Sequence, residues 1–200
     1  LFRSDDGRAV DLYPESGTAP SPVAGTVERI RQVRAPPKDY AAAEDTLVVI
    51  DTGEHLARVM HVDPHVEEGE SVEVGDPLGD LVRAGFFAPW VPTHLHVGFR
   101  PRDADPVRAS GSLPIDIDVD LRPLSWNGSG TVVETGDTWA RLDSPGHPDP
   151  GAYFVGLDSN GAVLDGGVPH YEFGGLLGDG KRAELAGQRV GSVEDGVVDW

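Results

Sequence analysis

The sequence predicts an all-β protein, on three observations. Its 26 glycines and 17 prolines are spread along all 200 residues, so turns recur throughout the chain. Short runs rich in β-branched residues lie between these turns, at spacings of about eight to twelve residues that are typical of a β-sandwich or barrel. The stretch 40–45, with three alanines, is the one helix-like segment, and it is too short to form a stable helix.

Five runs are predicted as strands: Gly25–Ile30, Thr46–Ile50, Ala57–Met60, Leu95–Phe99 and Ile115–Leu121. The last run alternates apolar and acidic residues, so its apolar side chains are expected on one face and its three aspartates on the other. We interpret these aspartates as a solvated face, because a flat row of carboxylates does not surround a calcium ion. Hairpin turns are predicted at Asn127-Gly128-Ser129-Gly130, Asn160-Gly161 and Asp165-Gly166-Gly167.

The composition changes near 103–113, a polar stretch that contains proline and glycine and no aromatic residue. We therefore predict a first domain over residues 1–112 and a second over residues 113–200. The second is expected to be a small β-rich module, and the sequence leaves its role open.

Charge and composition limit the classes of partner. Acidic residues outnumber basic ones by 34 to 16, a net charge of −18, which argues against nucleic acid and anionic membranes as partners. Aspartate exceeds glutamate by 22 to 12, and only 2 of the 16 basic residues are lysines, a balance that we interpret as adaptation to high salt. The chain has no cysteine, so a bound metal must use histidine, carboxylate and water.

A histidine pair is the sharpest chemical signal in the first domain. His94 and His96 lie in a predicted strand, where residues i and i+2 point to the same side, about 6–7 Å apart. Two neutral imidazoles placed in this way can bind one metal ion together. Alternatively, one binds the metal while the other polarises water or stabilises an oxyanion. The spacing alone leaves both arrangements open.

Several stretches of the first domain follow the order found in one known family. They are Gly17–Val27, Leu47–Ile50, Val59–Val62, Val66–Gly79 and Pro92–Val97. Over about residues 7–105 they make the chain resemble the LytM/lysostaphin-like zinc metallopeptidases, the M23 peptidases. The resemblance implies a β-sandwich with the duplicated hybrid motif, also called a barrel-sandwich hybrid. It also implies a hydrolase of peptide bonds, acting on a peptide or on a peptide-containing polymer such as the bacterial cell wall.

The resemblance further implies a site with one zinc ion per chain. Asp11 in Val10-Asp11-Leu12 is similar to the family's zinc-binding aspartate, and His96 to its second histidine ligand. His61 and His94 resemble the catalytic pair that flanks the metal. The family's first ligand, a histidine four residues before the aspartate, is replaced here by Gly7. We therefore take Asp6 as the candidate third ligand, with Asp5 as the alternative. A site of Asp6, Asp11 and His96 would be harder and more anionic.

The missing histidine leaves two main hypotheses open on one fold. The first is a peptidase-type metallohydrolase with an altered zinc site, and the second is a non-catalytic binding protein whose site has degenerated. A weaker alternative is a histidine phosphocarrier. Trp90 is read either as a wall of the substrate groove or as core packing. Arg100 is read either as a ligand of a substrate carboxylate or as a partner of the abundant aspartates.

The cellular compartment stays open between two expectations. The resemblance favours an extracellular protein, whereas the acidic composition is also typical of the cytoplasm of an organism that lives in high salt. No run of about 18 apolar residues occurs, so we expect a soluble chain without a transmembrane segment. The sequence leaves the oligomeric state open.

Overall fold

A computed structural model describes residues 9–108, 111–115, 118–137, 139–166 and 173–200. All regular structure in these ranges is β, which confirms the predicted fold class. The chain divides into two compact units, formed by the described residues up to 115 and by those from 118 onward. Within the described ranges, no helix is long and apolar enough to cross a bilayer.

The first unit contains two antiparallel sheets. The larger has six strands in the order β1-β9-β5-β4-β3-β7, and the smaller has three in the order β2-β8-β6. These nine strands are β1 (Ala9–Leu12), β2 (Thr18–Pro20), β3 (Gly25–Arg34), β4 (Glu44–Asp51), β5 (His55–Met60), β6 (Val62–Pro64), β7 (Ser71–Val72), β8 (Pro77–Leu81) and β9 (Leu95–Pro101).

Apolar side chains from both sheets form one core, which makes the first unit a sandwich. Burying this apolar surface is the main favourable term in folding a small domain. The core residues are all at most 9% exposed, and they are Ala19, Val27, Val48, Ile50, Ala57, Val59, Val62, Val66, Val72, Leu78, Leu95 and Val97.

The six-stranded sheet is apolar on its outer face as well. Val48 points into the sandwich core, whereas Leu47, Val49 and Leu56 form a second buried cluster on the opposite side. Because side chains alternate along a strand, the continuous apolar run 47–50 supplies apolar side chains to both faces of the sheet. The outer face is the one that carries the candidate site described below.

The second unit contains a seven-stranded sheet and a separate two-stranded hairpin, β11-β12. The large sheet has the order β10-β13-β14-β15-β18-β17-β16, with β10 and β13 parallel and the other pairs antiparallel. The strands are β10 (Leu121–Leu124), β11 (Val132–Thr135), β12 (Ala140–Leu142), β13 (Phe154–Ser159), β14 (Ala162–Gly166), β15 (Phe173–Leu177), β16 (Arg182–Leu185), β17 (Gln188–Glu194) and β18 (Val197–Asp199). Its buried core consists of Ala162, Leu176, Ala183 and Val198.

Four of the five predicted strands are confirmed, each with somewhat wider bounds. The predicted strand Ile115–Leu121 is wrong: β10 begins only at Leu121, and residues 118–120 are not in a strand. Val119, expected on the buried face, is 45% exposed. Residues 116 and 117 of this run lie outside the described residues.

Of the predicted hairpin turns, Asn160-Gly161 is confirmed. These two residues join β13 to β14 with φ values of 57° and 89°, the left-handed conformations that a tight type I′ turn requires. The stretch 127–130 is not a hairpin turn, because it connects β10 and β11, which pair with other strands. Asp165 and Gly166 are the last residues of β14, and Gly167 lies outside the described residues.

Replacing Leu78 by alanine is expected to lower the free energy of unfolding by about 2–5 kcal/mol. The side chain is 0% exposed in the sandwich core, so the truncation leaves a cavity. Val74→Ala is the control, because this side chain is 70% exposed and its truncation is expected to change stability by about 0.5 kcal/mol or less. Urea denaturation compares the two variants. An unchanged midpoint for Leu78→Ala would contradict the assignment of β8 to the core.

Candidate functional site

Four neighbouring strands place residues of the candidate site in one row across the six-stranded sheet. Asp11 of β1 pairs with His96 of β9. His96 in turn pairs with Met60 of β5, which pairs with Leu47 of β4. Residues directly opposite each other in a ladder point to the same face, and Met60 and Leu47 belong to the outer apolar cluster. Asp11 and His96 are therefore presented on the face opposite the sandwich core.

The carboxylate of Asp11 lies between two imidazoles. Its Oδ1 is 2.8 Å from Nδ1 of His96, and its Oδ2 is 3.8 Å from Nε2 of His94. The His96 side chain is 42% exposed, whereas His94 is buried. Nδ1–H of His94 donates to the carbonyl of Pro92 at 2.8 Å, which leaves Nε2 as the basic nitrogen of the neutral ring.

His61 joins this group from the end of β5. Its ring centroid lies 5.0 Å from that of His94 and 5.9 Å from that of His96. Its Nδ1 is 2.6 Å from Oδ2 of Asp45 on β4, and its backbone N–H donates to Oδ1 of the same carboxylate at 3.0 Å. The structure therefore brings together the three histidines singled out from the sequence, and Asp11 with them.

Burial and charge set the ionisation of the site. The pKa of His94 lies below its ordinary value, because burial disfavours the charged ring and outweighs the attraction of the Pro92 carbonyl and of Asp11. Burial alone would raise the pKa of Asp11. However, the hydrogen bond from His96 and the charges of His96 and His94 lower that pKa below its ordinary value. At neutral pH a neutral His94 thus lies beside an ionised Asp11.

Aromatic rings pack around the histidines. Phe87, in the connection between β8 and β9, is buried, with its ring centroid 4.5 Å from that of His94 and 5.0 Å from that of His61. The ring of Tyr13 lies 5.1 Å from that of His94, and the ring of Phe86 lies 6.2 Å from that of His61. These rings supply apolar contact area at the edge of the histidine cluster.

A surface cavity of about 500 Å³ adjoins this aromatic group, within the size range of ligand pockets. Phe86 is the shared element, because it lines the cavity and also lies next to His61. The lining residues are Arg34, Ala35, Pro36, Pro37, Ala43 and Phe86.

Three other residues were singled out from the sequence. Asp6 lies outside the described residues, so its role as a metal ligand stays a prediction. Trp90 is 46% exposed in the loop before β9, and its place in a substrate groove also stays a prediction. The side chain of Arg100 is buried, and its Nη2 donates to the carbonyl of Arg108 at 2.9 Å. Such burial does not favour the expected contact with a substrate carboxylate.

Sequence reasoning missed Asp45, which is the closest polar partner of His61. The residue ends the alanine-containing stretch 40–45, whose helix-like composition hides the start of β4 at Glu44. An acidic residue two positions before the apolar run 47–50 is the one local signal that could have drawn attention to it. Its partner, 16 residues further along the chain, is set by the register of β4 and β5.

The described residues match zinc in the type of donor that they offer. Asp11 and His96 present a carboxylate oxygen and an imidazole nitrogen, both ordinary zinc ligands, from neighbouring strands. Within the part of the chain that the structure describes, no group of three or more histidine or acidic side chains is placed to hold a metal ion. Asp11 and His96 thus amount to two protein ligands, where a catalytic zinc site ordinarily has three.

Comparison with known proteins places both halves of the chain in families without an assigned activity. One family model, described as the N-terminal domain of a domain of unknown function (DUF8155), matches residues 2–117. A second, described as the C-terminal domain of DUF8155, matches residues 122–200. No curated protein and no solved structure matches the chain significantly.

The lowered pKa of His94 predicts a loss of stability in mild acid. In the unfolded chain this ring takes up a proton near its ordinary pKa of 6.5, whereas the folded state resists protonation until a lower pH. The unfolded state therefore binds more protons in this window, and the free energy of unfolding falls as the pH drops below about 6.5. We expect His94→Gln to flatten this dependence.

Urea denaturation between about pH 8 and about pH 5, in metal-free buffer, measures the effect. His65→Gln is the matched control, because the His65 side chain is 65% exposed and lies outside the cluster. Equal pH dependence in the parent and in His94→Gln would refute the prediction.

Proposed function

This chain belongs to the DUF8155 family, and we propose that it is a peptidase-type metallohydrolase similar to the M23 peptidases, with an altered zinc site. The convergence of Asp11, His61, His94 and His96 carries the proposal. These residues come from separate parts of the sequence. The six-stranded sheet pairs Asp11 with His96, and the rings of His94 and His96 lie 5.0 and 5.9 Å from that of His61. Three imidazoles and a carboxylate in one cluster supply the groups that acid–base hydrolysis requires.

In this proposal the metal is held by Asp11 and His96. The ionised state of Asp11 favours that role, because a ligating carboxylate must be deprotonated. When bound, zinc supplies Lewis acidity, which polarises a carbonyl and makes water more acidic. The 42% exposure of the His96 side chain leaves this part of the site open to solvent and to substrate.

His61 and His94 handle protons in this proposal. Each has an Nε2 that makes no hydrogen bond among the described residues, while Nδ1 of each is bound to an oxygen acceptor. His61 Nε2 accepts a proton from the attacking water. His94, neutral because burial lowers its pKa, holds and returns a proton at its own Nε2.

The substrate class that we propose is a peptide or a peptide-containing polymer. The cavity beside Phe86 offers an apolar wall of two prolines and two alanines for a substrate side chain. Phe86 links this cavity to the site, because its ring lies 6.2 Å from that of His61. A longer chain would pass the exposed side chain of His96. The net charge of −18 repels anionic substrates, so the proposed substrates are neutral or cationic.

One observation favours a second candidate, a non-catalytic binding protein on the same fold. Across the described ranges no third ligand accompanies Asp11 and His96, and the direct 2.8 Å contact between their side chains satisfies both without a metal. In that case the cavity and the aromatic rings would bind a peptide without cleaving it.

The two candidates differ in metal content and in turnover. We expect the parent, purified in high salt without chelator, to hold close to one zinc ion per chain. His96→Ala is expected to lose that zinc, because one of the two described ligands is gone. His61→Ala is expected to keep it and to lose turnover by about 10²-fold or more. Elemental mass spectrometry and cleavage of a mixed peptide library measure the two properties.

His65→Ala is the matched control, since it removes an exposed histidine four residues from His61 without touching the cluster. It should retain both zinc and turnover. Peptide binding by a parent that holds no zinc and cleaves nothing, even after zinc is supplied, would favour the second candidate. Unchanged cleavage by both His61→Ala and His96→Ala would show that the site is assigned to the wrong residues.

A further inference from the structure

We propose that Asp45 is a positioning residue that fixes the tautomer of His61, holding the ring proton on Nδ1 and keeping Nε2 free as the base. The role of Asp45 in catalysis rests on the proposed function, whereas the tautomer of His61 does not. It extends the site to a buried residue on β4 that the sequence motifs do not include.

The contacts of Asp45 specify which nitrogen carries the proton. Its Oδ2 lies 2.6 Å from Nδ1 of His61, and its side chain is 0% exposed. An ionised carboxylate can only accept hydrogen bonds, so a contact this short requires a proton on Nδ1. In the neutral ring the other nitrogen, Nε2, is then unprotonated.

The same carboxylate also fixes the backbone from which the ring projects. Oδ1 accepts the backbone N–H of His61 at 3.0 Å and that of Thr46 at 2.8 Å. On the other side, the carbonyl of His61 accepts the backbone N–H of Val82 at 2.8 Å. These hydrogen bonds hold both the ring and the backbone of His61, so the imidazole cannot flip without losing its contact with Asp45.

The backbone conformation of His61 points to the same conclusion. Its φ of 70° lies in the left-handed region, which is uncommon for residues other than glycine and costs free energy. Strained conformations of this kind persist where surrounding contacts over-determine them, and they cluster at functional sites. Here the conformation places the ring among His94, His96 and Phe87 while it keeps both bonds to Asp45.

A carboxylate and an amide of the same shape would have opposite effects at this position. In Asp45→Asn, the amide oxygen can still accept the two backbone N–H groups. The amide nitrogen then faces Nδ1 as a donor, so Nδ1 must give up its proton and Nε2 must take it. The variant should therefore keep the fold and reverse the tautomer, which removes the free base.

The test reads the tautomer directly by long-range ¹H–¹⁵N NMR of the imidazole rings. Spectra are recorded on the metal-free parent above about pH 8, where an ordinary imidazole is neutral. The His61 signals are assigned as those lost in His61→Gln. We expect a protonated Nδ1 and an unprotonated Nε2. The opposite pattern, or a mixture of the two tautomers, would overturn the proposal without any variant of Asp45.

Asp45→Asn provides the second arm, with Asp51→Asn as its matched control. Asp51 ends the same strand, and its carboxylate accepts hydrogen bonds from Gly53 N–H and from Arg102. We expect the His61 pattern to reverse in Asp45→Asn and to stay unchanged in Asp51→Asn. An unreversed pattern in a folded Asp45→Asn would contradict the positioning role.

Turnover separates this inference from the proposed function. If the parent hydrolyses peptides, Asp45→Asn is expected to lower kcat by about 10²-fold or more while zinc content and KM stay close to those of the parent. A folded variant with the reversed tautomer and unchanged kcat would refute a role in catalysis for the contact between Asp45 and His61. A parent that cleaves nothing would count against the proposed function alone, because the tautomer is read without substrate.

Discussion

Backbone hydrogen bonding across four neighbouring strands is the interaction on which the candidate site depends. The ladder β1-β9-β5-β4 sets Asp11 opposite His96 and ends the row at Leu47. Because side chains alternate along a strand, a slip of one residue between β1 and β9 would turn Asp11 to the other face of the sheet. The sandwich core on that face opposes such a slip, since a carboxylate among its valines would be buried without a partner.

The two faces of the six-stranded sheet therefore have different roles. One face packs against the three-stranded sheet and belongs to the larger buried apolar cluster of the first unit. The other face combines a smaller apolar cluster with the histidines and with the carboxylates of Asp11 and Asp45, which bind two of them. Asp45, whose side chain has no solvent contact, accepts three hydrogen bonds, from Thr46 N–H and from two groups of His61. A buried carboxylate is tolerable only with such partners, so its position constrains the ring that it binds.

Sequence reasoning succeeded where local pattern and tertiary packing agree. The apolar run 47–50 and the strand that carries His96 could be identified, because their side chains pack on both sides of a sheet. It failed for the run 115–121, whose alternation is typical of a strand. There Val119 is exposed, so the apolar residues of the alternating pattern do not pack against a core and do not stabilise a strand.

The residues of the site were predictable to a similar, partial extent. The spacing of His94 and His96 singled out that pair, whereas Asp11 and His61 were selected through the resemblance to a known family. The contact between Asp45 and His61 could not be predicted, because it depends on strand register and on a left-handed backbone at a residue that is not glycine. The burial of Arg100 was equally hidden, since its position in β9 gives no sign of what covers it.

Anomalous X-ray diffraction at the zinc edge, from crystals of the parent soaked in zinc, tests the central claim most directly. We predict one strong peak within bonding distance of Asp11 and His96, with His61 and His94 close by and not bound to the metal. A zinc-soaked crystal without a peak there, in which the contact between Asp11 and His96 stays at its 2.8 Å hydrogen-bond distance, would contradict the account and favour a binding protein.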